Sequence, residues 1–300
     1  NYLTNPAVGG IESYTDLRTS YRNQWIGVEG APESFYVTVH SSIGNTHNGS
    51  PKARKANRYG FSTSNSYKKA VPHHGWGAVA QVDKAGLFSA STLNATYSYH
   101  QPLTGYFTLS SGISSGVTNY TLNTNGADII DENDPYLAQT KLNSLKVDLG
   151  VGVWLYSPDF YIGMSGTQLL RNSSDYGEGD EPSLIMQPHY YATGGFRFQP
   201  SMDVAVIPSV MVKLTEAAKP AVDVNARVLY AQHIWLGASY RHNDAWAAMA
   251  GLNLGHLFDV GYSYEVATSE MSQVTAGSHE VMVGFKLNNL RKVVCPQWVW

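Results

Sequence analysis

Long runs in which apolar and polar residues alternate constrain this chain more than any other feature. A period of two sends successive side chains to opposite faces of a β-strand. Val222, Val224, Ala226, Val228 and Tyr230 share one face, and Asp223, Asn225, Arg227 and Leu229 share the other. Leu145, Val147, Leu149, Val151, Val153 and Leu155 alternate with Lys146, Asp148, Gly150, Gly152 and Trp154. The stretches 258–266 and 280–287 repeat the pattern. A soluble β-sandwich also alternates, with its apolar face inward. Two features point elsewhere. Many runs extend over 10–13 residues, whereas an ordinary strand has about 5–6 and a tilted membrane strand about 9–11. The polar faces are also rich in Gly, Ser and Thr rather than Lys and Glu.

Composition agrees with strands that meet lipid on one side. Charged residues make up 14% of the 300 residues, against roughly 25% in soluble domains. No stretch reaches the roughly 18–20 apolar residues of a spanning helix. The 20 Tyr and 7 Trp are side chains that favour membrane interfaces. A net charge of −3 gives no footprint for nucleic acid. The single cysteine, Cys295, excludes an intrachain disulfide and reads as an inert thiol. The chain begins at Asn1 with polar residues and shows no signal peptide, as expected of a secreted protein after processing.

These observations predict an all-β, transmembrane antiparallel β-barrel of about 14 strands. The expected strands lie near 14–25, 34–43, 75–83, 87–100, 104–115, 142–155, 159–170, 186–198, 202–213, 220–231, 233–241, 244–254, 256–266 and 275–287. An even number puts both termini on one side. Bacterial barrels have short periplasmic turns and longer outside loops. Short turns at Ser157-Pro158-Asp159, Gln199-Pro200-Ser201, Gln232-His233 and Gly255-His256 alternate with long loops at 116–141, 171–185 and 267–274. Both termini are therefore expected in the periplasm. Residues 1–290 form one barrel in this reading and 291–300 a periplasmic tail. Residues 44–74, with Lys52, Arg54, Lys55, Arg58, Lys68 and Lys69, are long for a periplasmic turn and read as an insertion or a docking surface.

The inward face gathers ionisable residues. The bases are Arg18, Arg22, Lys146, Arg197, Lys213, Arg227, Arg241 and Lys286; the acids are Asp83, Asp148, Asp223, Asp259, Glu265 and Glu280. A selective pore usually carries a ring biased to one sign. The near balance here favours a salt-bridged network filling a narrow lumen, over a selective channel or a ligand groove. Two loops are acidic: Asp128, Asp131, Glu132 and Asp134, then Asp175, Glu178, Asp180 and Glu181. Neither has EF-hand spacing, so solvated acidic faces are expected rather than a metal site. Tyr-rich loops bury area at low entropic cost. Tyr120, Asp128, Asp131, Asp134, Tyr136, Tyr176, Glu178 and Asp180 are accordingly the candidate partner contacts on the outside loops. The adjacent His73 and His74 point to opposite faces of a strand. No HExxH, CxxC, Walker or GxSxG motif occurs, and the reading is of a non-enzyme with no cofactor and no metal.

Short motifs in chain order resemble those of the PorP/SprF family of type IX secretion system membrane proteins. They are Asn5-Pro6-Ala7, Tyr21-Arg22-Asn23-Gln24-Trp25, Gly30-Ala31-Pro32, Asp83-Lys84-Ala85-Gly86, Pro208-Ser209, Tyr240-Arg241, Gly261-Tyr262-Ser263-Tyr264, Ser278-His279-Glu280 and Val293-Val294-Cys295-Pro296. Residues 44–74 depart from the short turn expected there. The resemblance implies an outer-membrane barrel of a Bacteroidetes-type cell, embedded in bilayer and lipopolysaccharide. It further implies work with other secretion-system components, helping to export or anchor a secreted surface protein, such as a gliding adhesin, through that protein's C-terminal domain. The alternative from the residues alone is an outer-membrane channel or FadL-like transporter for a small solute.

Overall fold

A computed structural model describes residues 1–44, 71–123, 141–170, 187–216, 218–268 and 274–295. The chain forms fourteen strands: β1 Thr15–Asn23, β2 Glu33–Ile43, β3 His73–Ala85, β4 Phe88–Pro102, β5 Thr108–Asn123, β6 Lys141–Tyr156, β7 Phe160–Thr167, β8 His189–Phe196, β9 Val204–Thr215, β10 Ala218–Tyr230, β11 Ile234–Arg241, β12 Ala245–Leu254, β13 Phe258–Ala267 and β14 Ser278–Leu287. Each pairs antiparallel with its sequence neighbour, and β1 closes on β14 from Thr15↔Leu287 to Asn23↔His279. The closed antiparallel barrel expected from the alternation is the one observed. Closure leaves no strand edge, which hydrocarbon demands because it offers backbone amides no alternative partner.

The burial pattern is that of a soluble protein turned inside out. On β6, Leu145 is 69% exposed whereas its neighbour Lys146 is 2% exposed. The outward residues from Leu145 to Leu155 span ten steps of about 3.3 Å, or about 25 Å of height at a tilt near 40°. That matches the apolar band of an outer-membrane barrel. Exposed aromatic residues collect towards both ends of the strands. Tyr21, Phe35, Phe88, Tyr190 and Trp246 lie towards one mouth, and Trp76, Tyr97, Phe196, Tyr230 and Phe285 towards the other. Such amphipathic rings suit the two headgroup layers.

Two expectations are corrected. β5 starts at Thr108 and runs to Asn123, whereas a strand over 104–115 and a loop from 116 were expected. Residues 114–123 pair with β4 and β6 without interruption. Their Ser, Gly, Thr and Asn content reads as a loop, but the inward half of a wall facing a packed lumen needs small polar side chains. Tyr120 is thereby a half-buried wall residue on β5, not a loop residue. Arg197 lies just beyond β8 in the connection to β9, where its amide donates to the Asp159 carbonyl at 2.8 Å; it sits at the barrel mouth rather than on the wall. Asp128, Asp131, Asp134, Tyr136, Tyr176, Glu178 and Asp180, and positions 45–70 of the 44–74 segment, lie outside the described residues.

Candidate functional site: a filled lumen with two chambers

The lumen is occupied by the chain's own N-terminal segment, residues 1–14, which enters from the mouth where β1 begins. A single 3-10 turn, Pro6–Val8, anchors it. Asn5 caps that turn through its side-chain oxygen, which accepts from the Ala7 amide at 2.9 Å. Proline then follows at the first helical position, where no amide is needed. The Asn5 side-chain amide donates to the carbonyls of Val153 on β6 and Met164 on β7, both at 3.1 Å.

A backbone segment inside a barrel must satisfy its own carbonyls, and the inward serines and histidines do this. Ser165 donates to Thr4 O at 2.6 Å, Ser110 to Ala7 O at 2.6 Å, and Ser98 to Gly9 O at 2.5 Å. His100 Nε2 also donates to Gly9 O at 2.8 Å, and the Tyr156 hydroxyl donates to its Nδ1 at 3.1 Å, which assigns the tautomer. His73 stacks on His100 with ring centroids 4.4 Å apart and reaches Gly10 O at 3.2 Å. His74 points outward to the Tyr97 hydroxyl, as alternation requires. The apolar part of the segment, Ala7, Val8 and Ile11, packs on Trp154, Tyr156 and Tyr161. The Tyr2 hydroxyl shares a hydrogen bond with the Thr96 hydroxyl at 2.7 Å, and burial pushes its phenol up to about 12.

Inward glycines make this fit possible. A Cβ on Gly75 would overlap the Gly9 backbone, one on Gly112 the backbone of Pro6 and Ala7, and one on Gly152 the Asn5 side chain. The wall is cut back where the segment lies.

The charged residues expected to fill the lumen line its other half. Arg18 pairs with Asp16 at 2.8 Å and with Asp259 at 3.5 Å, and Lys286 pairs with Asp259 at 3.3 Å. Nearer the opposite mouth, Glu265 faces Arg22 at 3.0 Å and Arg241 at 3.5 Å, while Asp223 holds Lys213 at 2.6 Å and Arg241 at 3.4 Å. Glu280 accepts from the Ser20 hydroxyl at 2.7 Å. Lys146 and Asp148 are buried on β6 apart from this network. Arg227 lies over the Trp235 ring at 4.5 Å. Of the fourteen ionisable residues expected on the inward face, Arg18, Arg22, Lys213, Asp223, Arg241, Asp259, Glu265 and Lys286 form these ion pairs. Glu280 is held by Ser20 and Asp83 by Gln81, Lys146 and Asp148 lie apart on β6, Arg197 sits at the rim, and Arg227 makes the cation–π contact.

The C-terminal segment closes the same mouth. Asn289 donates to the carbonyls of His256 and Val293 at 2.9 and 2.8 Å, and Lys286 donates to Val294 O at 2.6 Å. Cys295 packs against the buried cluster of Ala205, Leu229 and Trp235. Burial raises its thiol pKa. The folding-back of this segment carried no signal in the sequence beyond the Cys-Pro that ends it.

Two chambers remain. One, of about 230 Å³, lies against β9–β14 and the adjoining β1 and β2, and is lined by Arg18, Arg227, Asp259, His40 and Cys295 among others. The second, of about 220 Å³, lies against β3–β8 towards the opposite mouth and includes Asp83, Asp148, Tyr120 and Tyr191. Among the described residues no group of His, Cys, Asp and Glu is arranged to hold a metal ion.

The fold is that of outer-membrane barrels. The chain resembles the outer membrane protein Omp33 of Acinetobacter baumannii, with 10% identity, a TM-score of 0.51, and coverage of 93% of this chain and 100% of that one. It also resembles a Pseudomonas aeruginosa FadL homologue, with 9% identity, a TM-score of 0.52, and coverage of 95% and 93%. At such identities the likeness concerns the fold alone. No curated protein sequence matches the chain. The family model described as type IX secretion system membrane protein PorP/SprF matches residues 1–285. This outer-membrane barrel therefore belongs to the PorP/SprF family of type IX secretion system membrane proteins.

Proposed function

We propose that this barrel holds a secreted surface protein at the outer membrane by binding that protein's C-terminal domain, and so helps its export or anchoring. The mouth carrying 24–32, 124–140, 168–188 and 268–277 faces outside in this reading, and the mouth carrying residues 1–14 and 288–295 faces the periplasm. Family membership supports a role beside other secretion components. The observation that carries the docking role is the lumen filled by residues 1–14. A domain of 100 residues has a radius of gyration of about 13 Å, far larger than chambers of about 230 and 220 Å³. Cargo therefore passes by another route, and this barrel contributes a surface. A solute channel would need a continuous water path, which a filled lumen counts against.

Extraction in mild detergent followed by affinity capture and mass spectrometry tests the reading. A large secreted protein, held through its C-terminal domain, is expected. Deleting 124–138 or 172–184, which spares all of β5, should release it into the medium while the barrel assembles. If the partner stays bound after both deletions, the loops are not the contact. If no such protein is recovered and mutant cells lose only uptake of a small solute, the transporter reading replaces this one.

A further inference from the structure

We propose that the chamber against β3–β8 is a recognition site for an ammonium or guanidinium group. Asp148 is 6% exposed and lines this chamber, and its Oδ1 is buried without a hydrogen-bond partner. Leaving such an acceptor unpaired is costly unless something supplies a donor. A second carboxylate, Asp83, lines the same chamber and is steadied by the Gln81 side-chain amide at 2.7 Å.

No Lys, Arg or His is among the residues lining the chamber. Lys146, two positions along β6, has an interaction of its own and does not line it. The lining is otherwise hydroxyl and amide groups, among them Thr118, Tyr120 and Tyr191. Two carboxylates with hydroxyl oxygens around them suit a ligand that carries positive charge and only donors. Ammonium has three donors and guanidinium five, and neither accepts. The tyrosine rings suit the same charge. A volume of about 220 Å³ accommodates such a head group with a few waters at about 30 Å³ each. A hard metal ion fits less well, because no set of three acidic or imidazole ligands converges among the described residues. The other chamber differs in kind: Arg18 and Arg227 line it beside Asp16 and Asp259.

The inference does not depend on the proposed cargo. The group could belong to a free amine or to a side chain of a docked protein, and the test separates the two. Purified full-length barrel in detergent is titrated calorimetrically with n-butylguanidinium and n-butylammonium, with tetramethylammonium as a cation lacking N–H donors. Binding of the first two and not the third is expected. Asp148→Asn and Asp83→Asn should each weaken it about tenfold or more, as for a lost charge-assisted hydrogen bond. Heat-modifiable migration on gels verifies that each variant is folded. No binding of either cation to the wild-type barrel overturns the proposal, and so does binding that both variants leave unchanged. Where the cations bind, loss of a co-purified protein from Asp148→Asn assigns the group to a protein side chain, and its retention assigns it to a free amine.

Discussion

The Ser110 hydroxyl donates to the Ala7 carbonyl at 2.6 Å, joining the barrel wall to the segment inside it. Two positions along β5, Gly112 leaves room for that segment's backbone. Gly112→Val should unseat residues 1–14, since a branched side chain would occupy the space of Pro6 and Ala7. Ser110→Ala, which leaves the buried Ala7 carbonyl without this donor, should cost about 1–3 kcal/mol and leave the segment in place. Planar-bilayer recordings check both: near-silent traces for wild type and Ser110→Ala, and frequent openings for Gly112→Val. Silent Gly112→Val would show that the segment is not what closes the lumen.

Asp259 stands between Arg18 and Lys286, and the Lys286 side chain is 1% exposed. Removing one member of a buried pair leaves an uncompensated charge, at a cost of about 3–5 kcal/mol. Asp259→Asn should therefore lower the denaturant midpoint of the detergent-solubilised barrel markedly. Arg22→Gln, at a more accessible pair, should cost under about 1 kcal/mol. Equal effects would contradict this ranking.

Burial raises the Cys295 thiol pKa. The folded state thus favours the neutral thiol. That contribution to stability is fully present below the unfolded thiol's pKa, near 8.5, and is lost as pH rises through the higher folded value. At pH 8.5 iodoacetamide should alkylate Cys295 at least about tenfold more slowly in the folded barrel than in denatured chain. Equal rates would place the thiol in open solvent.

Orientation is checked by labelling. Glu29 and His233 are exposed at opposite mouths. In a Cys295→Ser background, Glu29→Cys should react with an impermeant maleimide on intact cells, and His233→Cys only after permeabilisation. The reverse pattern would invert the proposed topology.

All fourteen strands were legible because lipid outside and polar packing inside force a period of two, as between Leu145 and Leu155. The end of β5 was not. Ser114, Gly116 and Thr118 have the composition of a loop, and only the pairing with β4 and β6 makes them wall. The N-terminal segment was invisible as structure, since Pro6-Ala7-Val8-Gly9-Gly10 has no period. Its trace lay instead in the inward glycines Gly75, Gly112 and Gly152, whose missing side chains mark the space it fills. The ion network could be named residue by residue because charge cannot face lipid; its pairings depend on register and barrel curvature. The unpaired oxygen of Asp148 depends on both.

The seam between β1 and β14 brings Thr15 beside Leu287. A chain stopped before Ser278 would leave β1 and β13 each with a ladder of bare amides in hydrocarbon, at several kcal/mol for each unmet group. The molecule has no lesser version to fall back on. Truncation does not yield a weaker barrel but an open sheet, fit only for aggregation or degradation, so the ten residues of β14 decide whether the first strand has any place in the membrane.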